Sequence, residues 1–320
     1  MIRTHILHDD GRVEGNAPIA HAFAPPAAAT VWVDMLCPTE EEIALLAQPF
    51  GFHPLAVEDV RHAQKRSKYE RYPNHAFVVT QALDRTTDED LLDTVPISIF
   101  LRSRLVVSVR PKEVAAVESV FAVLASFPER IGPQADHILH AILDAVIDEY
   151  TNMLYTFEAR VEALQEPATQ PDQIGLVEDL VWVRRDLLML RRLTLPQIEL
   201  VRRFVDADPD DLGGGARIYF RDVLDHLTII LEHTALLLDV SNGALQVHQN
   251  AVNERLNQVM KYLAIVSTLA LPWTVVSGIF GMNFDVIPIS HQVYGFWVAV
   301  GLMFGSALLL LAIFRARRWF

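Results

Sequence analysis

The sequence predicts an α+β cytosolic domain joined to a very long α-helix and a C-terminal hairpin of two transmembrane helices. Of its 320 residues, 51% are hydrophobic and 21% charged, and the mean hydropathy is +0.23. The apolar excess lies near the C-terminus, where Asp285 is the one charged side chain between Lys261 and Arg315. In addition, no proline occurs in residues 216–271, which allows a single helix ~80–100 Å long. These observations together define the fold class.

Two uncharged segments are each long enough to cross a membrane. Residues 262–283 and residues 294–314 both match the ~20 residues that span a hydrocarbon core of ~30 Å. Residues 284–293 between them suffice only for an external turn. Lys261 precedes the first span and the basic tail 315–320 follows the second. The positive-inside rule therefore predicts that the N- and C-termini are both cytoplasmic.

The cytosolic part changes character along the chain. Residues 1–130 mix short β-like runs with helical stretches, which predicts an α/β domain whose strand order stays undetermined. Residues 131–212 carry apolar residues at helical spacing and predict a helical hairpin, and residues 213–261 form the cytosolic part of the stalk helix. Thr39 followed by Glu42 predicts a capping box. The β-like runs are residues 30–34, 76–81, 96–101 and 105–109.

Composition and missing motifs exclude several classes of function. The net charge of −13 argues against a nucleic-acid partner and suits a protein that attracts cations. Cys37 is the single cysteine, so neither a disulfide framework nor a thiolate metal cage is expected. The sequence contains no Gly-x-Ser-x-Gly elbow and no P-loop, and its histidine pairs lack the partners of a hydrolytic metal site. We therefore predict a protein that is not an enzyme and has no catalytic cofactor.

One face of the long helix carries mainly polar and small side chains at alternating steps of three and four residues. This spacing is typical of helices packed about a common axis. Successive amide side chains would destabilise a coiled coil whose interface excludes water. The pattern therefore favours several copies of the helix arranged around a water-filled pore. The alternative is a solvated face that continues into small-residue packing between membrane helices. We call this face the seam, and it comprises Gln246, Asn250, Asn253, Asn257, Met260, Ala264, Ser267, Leu271, Thr274 and Gly278.

The end of the first span carries a motif seen in a known family. Gly281-Met282-Asn283, followed by a second span and a basic tail, resembles the CorA family of divalent metal-ion (magnesium and cobalt) transporters. Matches elsewhere extend the resemblance over nearly the whole chain. It implies a homopentameric funnel in the lipid bilayer of the inner membrane, with one long helix from each subunit lining the pore. Further matching positions are Pro272, Phe284, the segment 219–223, His53-Pro54-Leu55, Asp144 and Arg317-Arg318-Trp319.

The resemblance also implies roles for single residues. Gly281, Met282 and Asn283 would form the selectivity filter, with one amide per subunit holding a hydrated Mg²⁺. The alternative for Asn283 is a helix C-cap. Asp285 would concentrate cations at the outer mouth. Asn257, Met260, Leu263, Ala264, Ser267, Leu271, Thr274 and Gly278 would line the pore, whereas ordinary packing is the alternative for the apolar residues Met260, Leu263 and Leu271.

Regulation is expected at acidic residues. The resemblance implies that cytosolic Mg²⁺ bridges carboxylates of neighbouring subunits and closes the pore. Asp222 matches one such position, and its partner is expected in residues 84–93, where Asp84, Asp88, Glu89 and Asp90 are the candidates. Solvated charge is the alternative for each of them. Mg²⁺ is thus both the transported and the regulatory ion in this interpretation.

The predicted function is a channel-like transporter for Mg²⁺, and also for Co²⁺ and Ni²⁺, driven by the membrane potential. The first alternative is a zinc transporter of the ZntB-like branch of the same superfamily. Zinc favours imidazole and thiolate ligands, which the predicted pore lacks. Two further alternatives are an enzyme and a metal sensor, each of which would use the hairpin only as a membrane anchor.

Overall fold

The chain divides into two compact units. Unit 1 comprises Met1–Glu166 and Gly175–Ala244, and unit 2 comprises Pro167–Ile174 and Leu245–Phe320. The computed structural model describes residues 1–26, 28–84, 93–206, 216–282, 289, 292–317 and 319.

Unit 1 contains one mixed β-sheet. Its strands are β1 (Ile2–His8), β2 (Val13–Gly15), β3 (Ala29–Leu36), β4 (Lys68–Tyr72), β5 (His75–Asp84), β6 (Asp93–Arg102) and β7 (Leu105–Arg110). They lie in the order β2-β1-β3-β7-β6-β5-β4. β3 and β7 are parallel, with Val31 opposite Leu105, and the other neighbouring pairs in this sheet are antiparallel. All of the predicted β-like runs lie within strands, whereas β1, β2 and β4 were not predicted.

Helices cover both faces of the sheet. On one face pack α1 (Ala20–Phe23), α2 (Glu40–Ala47) and α3 (Pro54–Arg61); on the other pack α4 (Ala115–Ser126), α5 (Ala135–Gln165), α6 (Leu176–Val205) and the first part of α7 (Arg217–Phe280). Successive residues of β7 serve opposite cores, because side chains alternate along a strand: Val106 faces α4–α7 and Val107 faces α1–α3. The predicted capping box at α2 is confirmed, since Thr39 and Glu42 exchange side-chain and backbone hydrogen bonds.

A buried ion network joins β1, β3, β7 and α4. Arg110 is fully buried and donates to both carboxylate oxygens of Asp34, at 3.2 and 2.8 Å. Arg110 and Arg3 both donate to Glu118, at 2.6 and 2.8 Å. Hydrogen bonds from Arg3 lower the pKa of Glu118 to about 2, and those from Arg110 contribute to the shift. The Ser108 hydroxyl also donates to Asp34, at 2.8 Å.

α5 and α6 contact each other, and polar side chains anchor both helices to the sheet. The Tyr150 hydroxyl on α5 donates to the backbone carbonyl of Gln81 at 2.6 Å, and the Gln197 amide on α6 donates to Thr80 at 2.7 Å. α6 continues through Pro196 without a break.

Unit 2 contains the apolar helices. The C-terminal part of α7 and α8 (Gly295–Ala316) are each long and apolar enough to cross a membrane, and only 6% of either apolar window is buried. The indole of Trp273 on α7 donates to the backbone carbonyl of Met303 on α8 at 3.1 Å. In the same unit, Arg255 pairs with Asp172 at 3.0 Å.

Candidate functional site: one face of the long helix

The first part of α7 packs on unit 1 through a single stripe. Its members are buried and follow one another at alternating steps of three and four residues, so they share one side of the helix. Most are apolar, and the two hydroxyl-bearing members lie among them; the Thr234 hydroxyl donates to the carbonyl of Ile230 at 2.7 Å. This packed stripe comprises Phe220, Val223, Leu227, Ile230, Thr234, Leu237, Ser241 and Ala244.

The seam lies on the opposite side of α7. Gln246 follows Ala244 by two positions, which corresponds to a rotation of ~200° about the helix axis. Every seam residue is exposed in the chain, including the large apolar side chains of Met260 (68%) and Leu271 (63%). Leu263, beside the seam, is also exposed. The chain therefore leaves the predicted pore face uncovered along the whole of its length.

Acidic residues extend the seam toward the N-terminus of α7. Steps of seven residues, each the sum of one step of three and one of four, lead back from Gln246 through Asp239 and Glu232 to Asp225, and a step of three then leads to Asp222. These carboxylates are exposed. The sequence interpretation singled out Asp222 from the family resemblance and began the seam only at Gln246. The signal for the other acidic residues was present, because the spacing continues without a break.

Asp222 lies in an electrostatic cluster with α5. Burial raises the pKa of Asp144, and the negative charges of Asp148 and Asp222 raise it further, while His140 and His226 oppose the shift. Asp144 and Asp222 are thus close enough to repel each other. Sequence reasoning matched Asp144 to the family but gave it no role. Among the described residues, no group of three metal-ligating side chains is arranged to hold an ion within the single chain.

Asp84 is the candidate partner of Asp222 that lies within the described residues. Asp84 ends β5, its side chain is only 1% exposed, and it forms an ion pair with Lys112. A metal bridge through Asp84 therefore requires its carboxylate to share or release Lys112. Asp88, Glu89 and Asp90 lie outside the described residues.

The filter motif begins where α7 ends. The Gly281 amide donates to the carbonyl of Ser277 at 2.9 Å. A Cβ atom at residue 281 would lie 2.9 Å from that same carbonyl oxygen, so this close backbone approach favours glycine. Met282 is 52% exposed in the chain. Asn283 and Asp285 lie outside the described residues.

Within the spans, the seam presents hydroxyl oxygens. The Thr274 hydroxyl donates its proton to the carbonyl of Leu271 at 2.8 Å. Its oxygen lone pairs consequently remain available as acceptors on the exposed face. Ser267 and Thr274 are separated by Leu271, so hydroxyl and apolar positions alternate along this part of the seam.

Comparisons with known proteins agree with this architecture. A family model described as CorA-like Mg2+ transporter protein matches residues 27–318. The putative metal ion transporter YfjQ of Bacillus subtilis is 31% identical over 100% of this chain and 99% of its own length. The cobalt/magnesium transport protein CorA of Thermotoga maritima is 28% identical over 84% of this chain and 77% of its own length.

A solved structure shares the fold over the full chain. The CorA magnesium transporter from Methanocaldococcus jannaschii aligns with a TM-score of 0.85 at 18% identity, over 99% of this chain and 98% of that one. The predicted fold class and the predicted family are thereby confirmed, while the pentamer stays a prediction. Because the family model covers most of the sequence, the chain belongs to the family of CorA-like Mg²⁺ transporter proteins.

Proposed function

We propose that copies of this chain assemble as a homopentameric channel that carries Mg²⁺, and also Co²⁺ and Ni²⁺, across the inner membrane. One observation carries the proposal: α7 packs on its own chain through one stripe, and the opposite, mainly polar seam is uncovered. Arranged about a common axis, the copies would turn their seams toward a wet pore and their exposed apolar side chains toward lipid or neighbouring helices. The names of the relatives support the choice of metal ions.

Selectivity is assigned to Asn283, with Gly281 and Met282 completing the filter. Mg²⁺ is small and sheds its water reluctantly, so a ring of neutral amide oxygens can hold it through its hydration shell. A ring of carboxylates would bind the ion more strongly and slow its release. Asp285 follows the filter and raises the local cation concentration at the outer mouth.

Below the filter, we assign the pore lining to the seam. Asn257 and Thr274 offer oxygen acceptors to a hydrated ion, and the small side chains Ala264, Ser267 and Gly278 leave the pore wide. Apolar rings at Met260, Leu263 and Leu271 form constrictions that close by excluding water.

The driving force is the membrane potential. Two elementary charges that cross 100 mV gain ~4.6 kcal/mol, twice the value for a single charge. Transport in this proposal needs no covalent chemistry and no catalytic cofactor. Both termini are cytoplasmic, since basic residues flank the spans on that side.

Closure is assigned to Mg²⁺ bound by carboxylates between subunits. Asp222 is the central ligand, Asp144 is a nearby carboxylate, and Asp84 and Asp88 are among the candidates from the neighbouring subunit. Burial is the main cause that raises the pKa of Asp144, and the negative charges of Asp148 and Asp222 add to it. This added repulsion supports the role, because a divalent ion would relieve it. Low internal Mg²⁺ would leave the carboxylates unbridged and the pore open.

A zinc transporter is the alternative for the same fold. The proposed pore offers amides, hydroxyls and aliphatic side chains, whereas zinc prefers imidazole and thiolate. A hydrated zinc ion would nevertheless pass a filter that never contacts the metal directly. Competition among ions in one flux assay separates the two functions.

The test uses full-length protein in liposomes loaded with a divalent-ion indicator. The proposal expects potential-driven uptake of Mg²⁺, Co²⁺ and Ni²⁺, and a loss of at least ~10-fold in Mg²⁺ uptake by Asn283→Ala, about the effect of a single lost charge-assisted hydrogen bond. Asn152→Ala, on the exposed surface of α5, is the matched control and should transport normally. Uptake of zinc alone, or unchanged Mg²⁺ uptake by Asn283→Ala, would refute the proposal.

A further inference from the structure

A polar cavity of about 570 Å³ lies within unit 1, and its lining includes no residue of α7. It opens between the turn that joins β4 to β5, the turn that joins β6 to β7, and the N-terminus of α5. Arg71, Arg102 and Arg104 all contribute to its lining. The proposed transport function uses none of these residues.

The positive charge in this cavity is only partly neutralised. Arg104 pairs with Asp9 at 2.7 Å. Arg102 instead donates to two backbone carbonyls, those of Asn74 at 3.1 Å and Phe50 at 2.9 Å, and within the described part of the chain it forms no ion pair. Burial alone lowers the pKa of Arg102, with no carboxylate opposing the shift. A partly buried guanidinium without an acidic partner is unfavourable unless an anion joins it.

A buried imidazole in the cavity lining also has unused hydrogen-bonding capacity. His75 lines the cavity and is 5% exposed; its Nδ1 lies 2.6 Å from the Asn74 side-chain oxygen, while its Nε2 has no hydrogen-bond partner among the residues that the structure describes. Burial lowers the pKa of His75 to about 4, and the charge of Arg102 adds to that shift. The cavity is thus a region of positive potential with unused polar capacity.

The N-terminus of α5 adds backbone donors. No side chain caps this helix end, and Gln134, Ala135 and Asp136 line the cavity. The dipole of a helix favours anions at this end. Within the described residues, Asp136 is the one acidic group in the lining; one of its oxygens accepts the His137 amide at 3.0 Å and the other has no partner there. Burial raises the pKa of Asp136, which weakens its negative charge.

We infer that this cavity binds a phosphorylated small molecule larger than a phosphate ion. Planar guanidinium groups match the oxygens of a phosphoryl group in paired hydrogen bonds. The volume falls within the ~300–1,000 Å³ typical of pockets for small organic ligands and far exceeds the space that one phosphate needs. The inference does not depend on the transport proposal.

The experiment measures binding to full-length, detergent-solubilised protein by calorimetry in a magnesium-free buffer with a chelator. ATP, AMP and inorganic phosphate are the probes, and ATP should bind at least ~10-fold more tightly than phosphate. Arg71→Gln and Arg104→Gln should each weaken ATP binding by roughly tenfold, as expected for the loss of a charge-assisted hydrogen bond. Arg66→Gln, an exposed arginine outside the cavity, should bind ATP like the wild type.

A charge-conserving variant separates recognition from folding. Arg102→Lys keeps the positive charge but loses the paired donors, so it should weaken ATP binding while the thermal unfolding midpoint confirms a folded protein. The inference fails if none of the probes binds saturably, if phosphate binds as tightly as ATP, or if the cavity variants bind ATP as well as Arg66→Gln does. Because no ion flux enters the measurement, failure here leaves the transport proposal untouched, and the reverse is also true.

Discussion

The two units of this chain place their apolar side chains in opposite environments. In unit 1, the sheet and helices α1–α6 bury two extensive apolar cores, and even Arg110 is fully enclosed. In unit 2, the apolar windows of α7 and α8 are only 6% buried, and side chains such as Val266 and Leu308 are about two-thirds exposed (65% and 66%). Exposed apolar surface costs about 25 cal/mol per Å² in water. Unit 1 therefore buries its apolar side chains within the chain, whereas unit 2 leaves them exposed, as expected of helices that are long and apolar enough to cross a membrane.

The comparison extends to polar groups. In unit 1, the buried charges of Arg110 and Asp34 are paired with each other within the chain. The seam of unit 2 carries amides and hydroxyls on an exposed face. A polar side chain in unit 1 should accordingly contribute to stability, whereas one in the seam should contribute to ion flux. Substitutions in each unit test this distinction.

The largest effect is expected where the buried ion network loses its central acid. Asp34→Ala leaves Arg110 buried without its main partner and should destabilise the protein by ~3–5 kcal/mol. The midpoint of thermal unfolding in detergent measures the loss. Asp9→Ala, which removes the exposed pair with Arg104, should cost less than ~1 kcal/mol. Equal effects of the two substitutions would show that burial does not set the strength of these pairs.

The next effect concerns acid sensitivity of unit 1. His75 is held neutral, with a folded-state pKa of about 4 against 6.5 in its unperturbed state. The unfolded chain takes up a proton first, so stability is fully present above pH 6.5 and falls as the pH drops toward 4, by up to ~3 kcal/mol. Unfolding midpoints across this range should decline more gently for His75→Phe than for the wild type. Parallel declines would remove His75 as the cause.

A smaller effect is expected in the seam. Leu271→Ser replaces an apolar constriction with a polar one and should raise Mg²⁺ leakage at high internal Mg²⁺ by roughly tenfold, because a polar ring stays wet. Val275→Ser is the matched control, being exposed on the same helix but not on the seam. Liposome flux measures both variants. Equal leakage in the two would argue against the assignment of the seam to the pore.

Local patterns predicted much of the fold. The capping box of Thr39 and Glu42 and the apolar C-terminal helices depend on residues close in sequence, and both are confirmed. The sheet order could not be predicted, because it rests on pairings such as Val31 with Leu105, which no local pattern encodes. β4 was missed because its sequence, Lys68–Tyr72, is polar and lies at the sheet edge.

The candidate site likewise combines features that the local sequence predicts with features that depend on contacts between separate elements. The seam follows from the periodicity of one helix, so the sequence predicted it and also contained its acidic extension. The proximity of Asp144 to Asp222 and the ion pair of Asp84 with Lys112 depend on contacts between separate elements. The cavity with its three arginines arises from two turns and a helix end that meet only in the folded sheet.

The smallest predicted effect tests the stabilising role of polar groups in unit 1 with two tyrosines of α5. The buried hydroxyl of Tyr150 donates to the carbonyl of Gln81, and Tyr150→Phe should cost ~1 kcal/mol because it removes this bond and leaves the carbonyl without that donor. Tyr155, on the same helix, is 58% exposed, so Tyr155→Phe should leave the unfolding midpoint nearly unchanged. Neither substitution should alter Mg²⁺ flux, since neither residue belongs to the seam or to the group of carboxylates assigned to closure. A flux defect in Tyr150→Phe would mean that the packing of α5 on the sheet is coupled to the pore, and the separation between the two kinds of polar group would then fail.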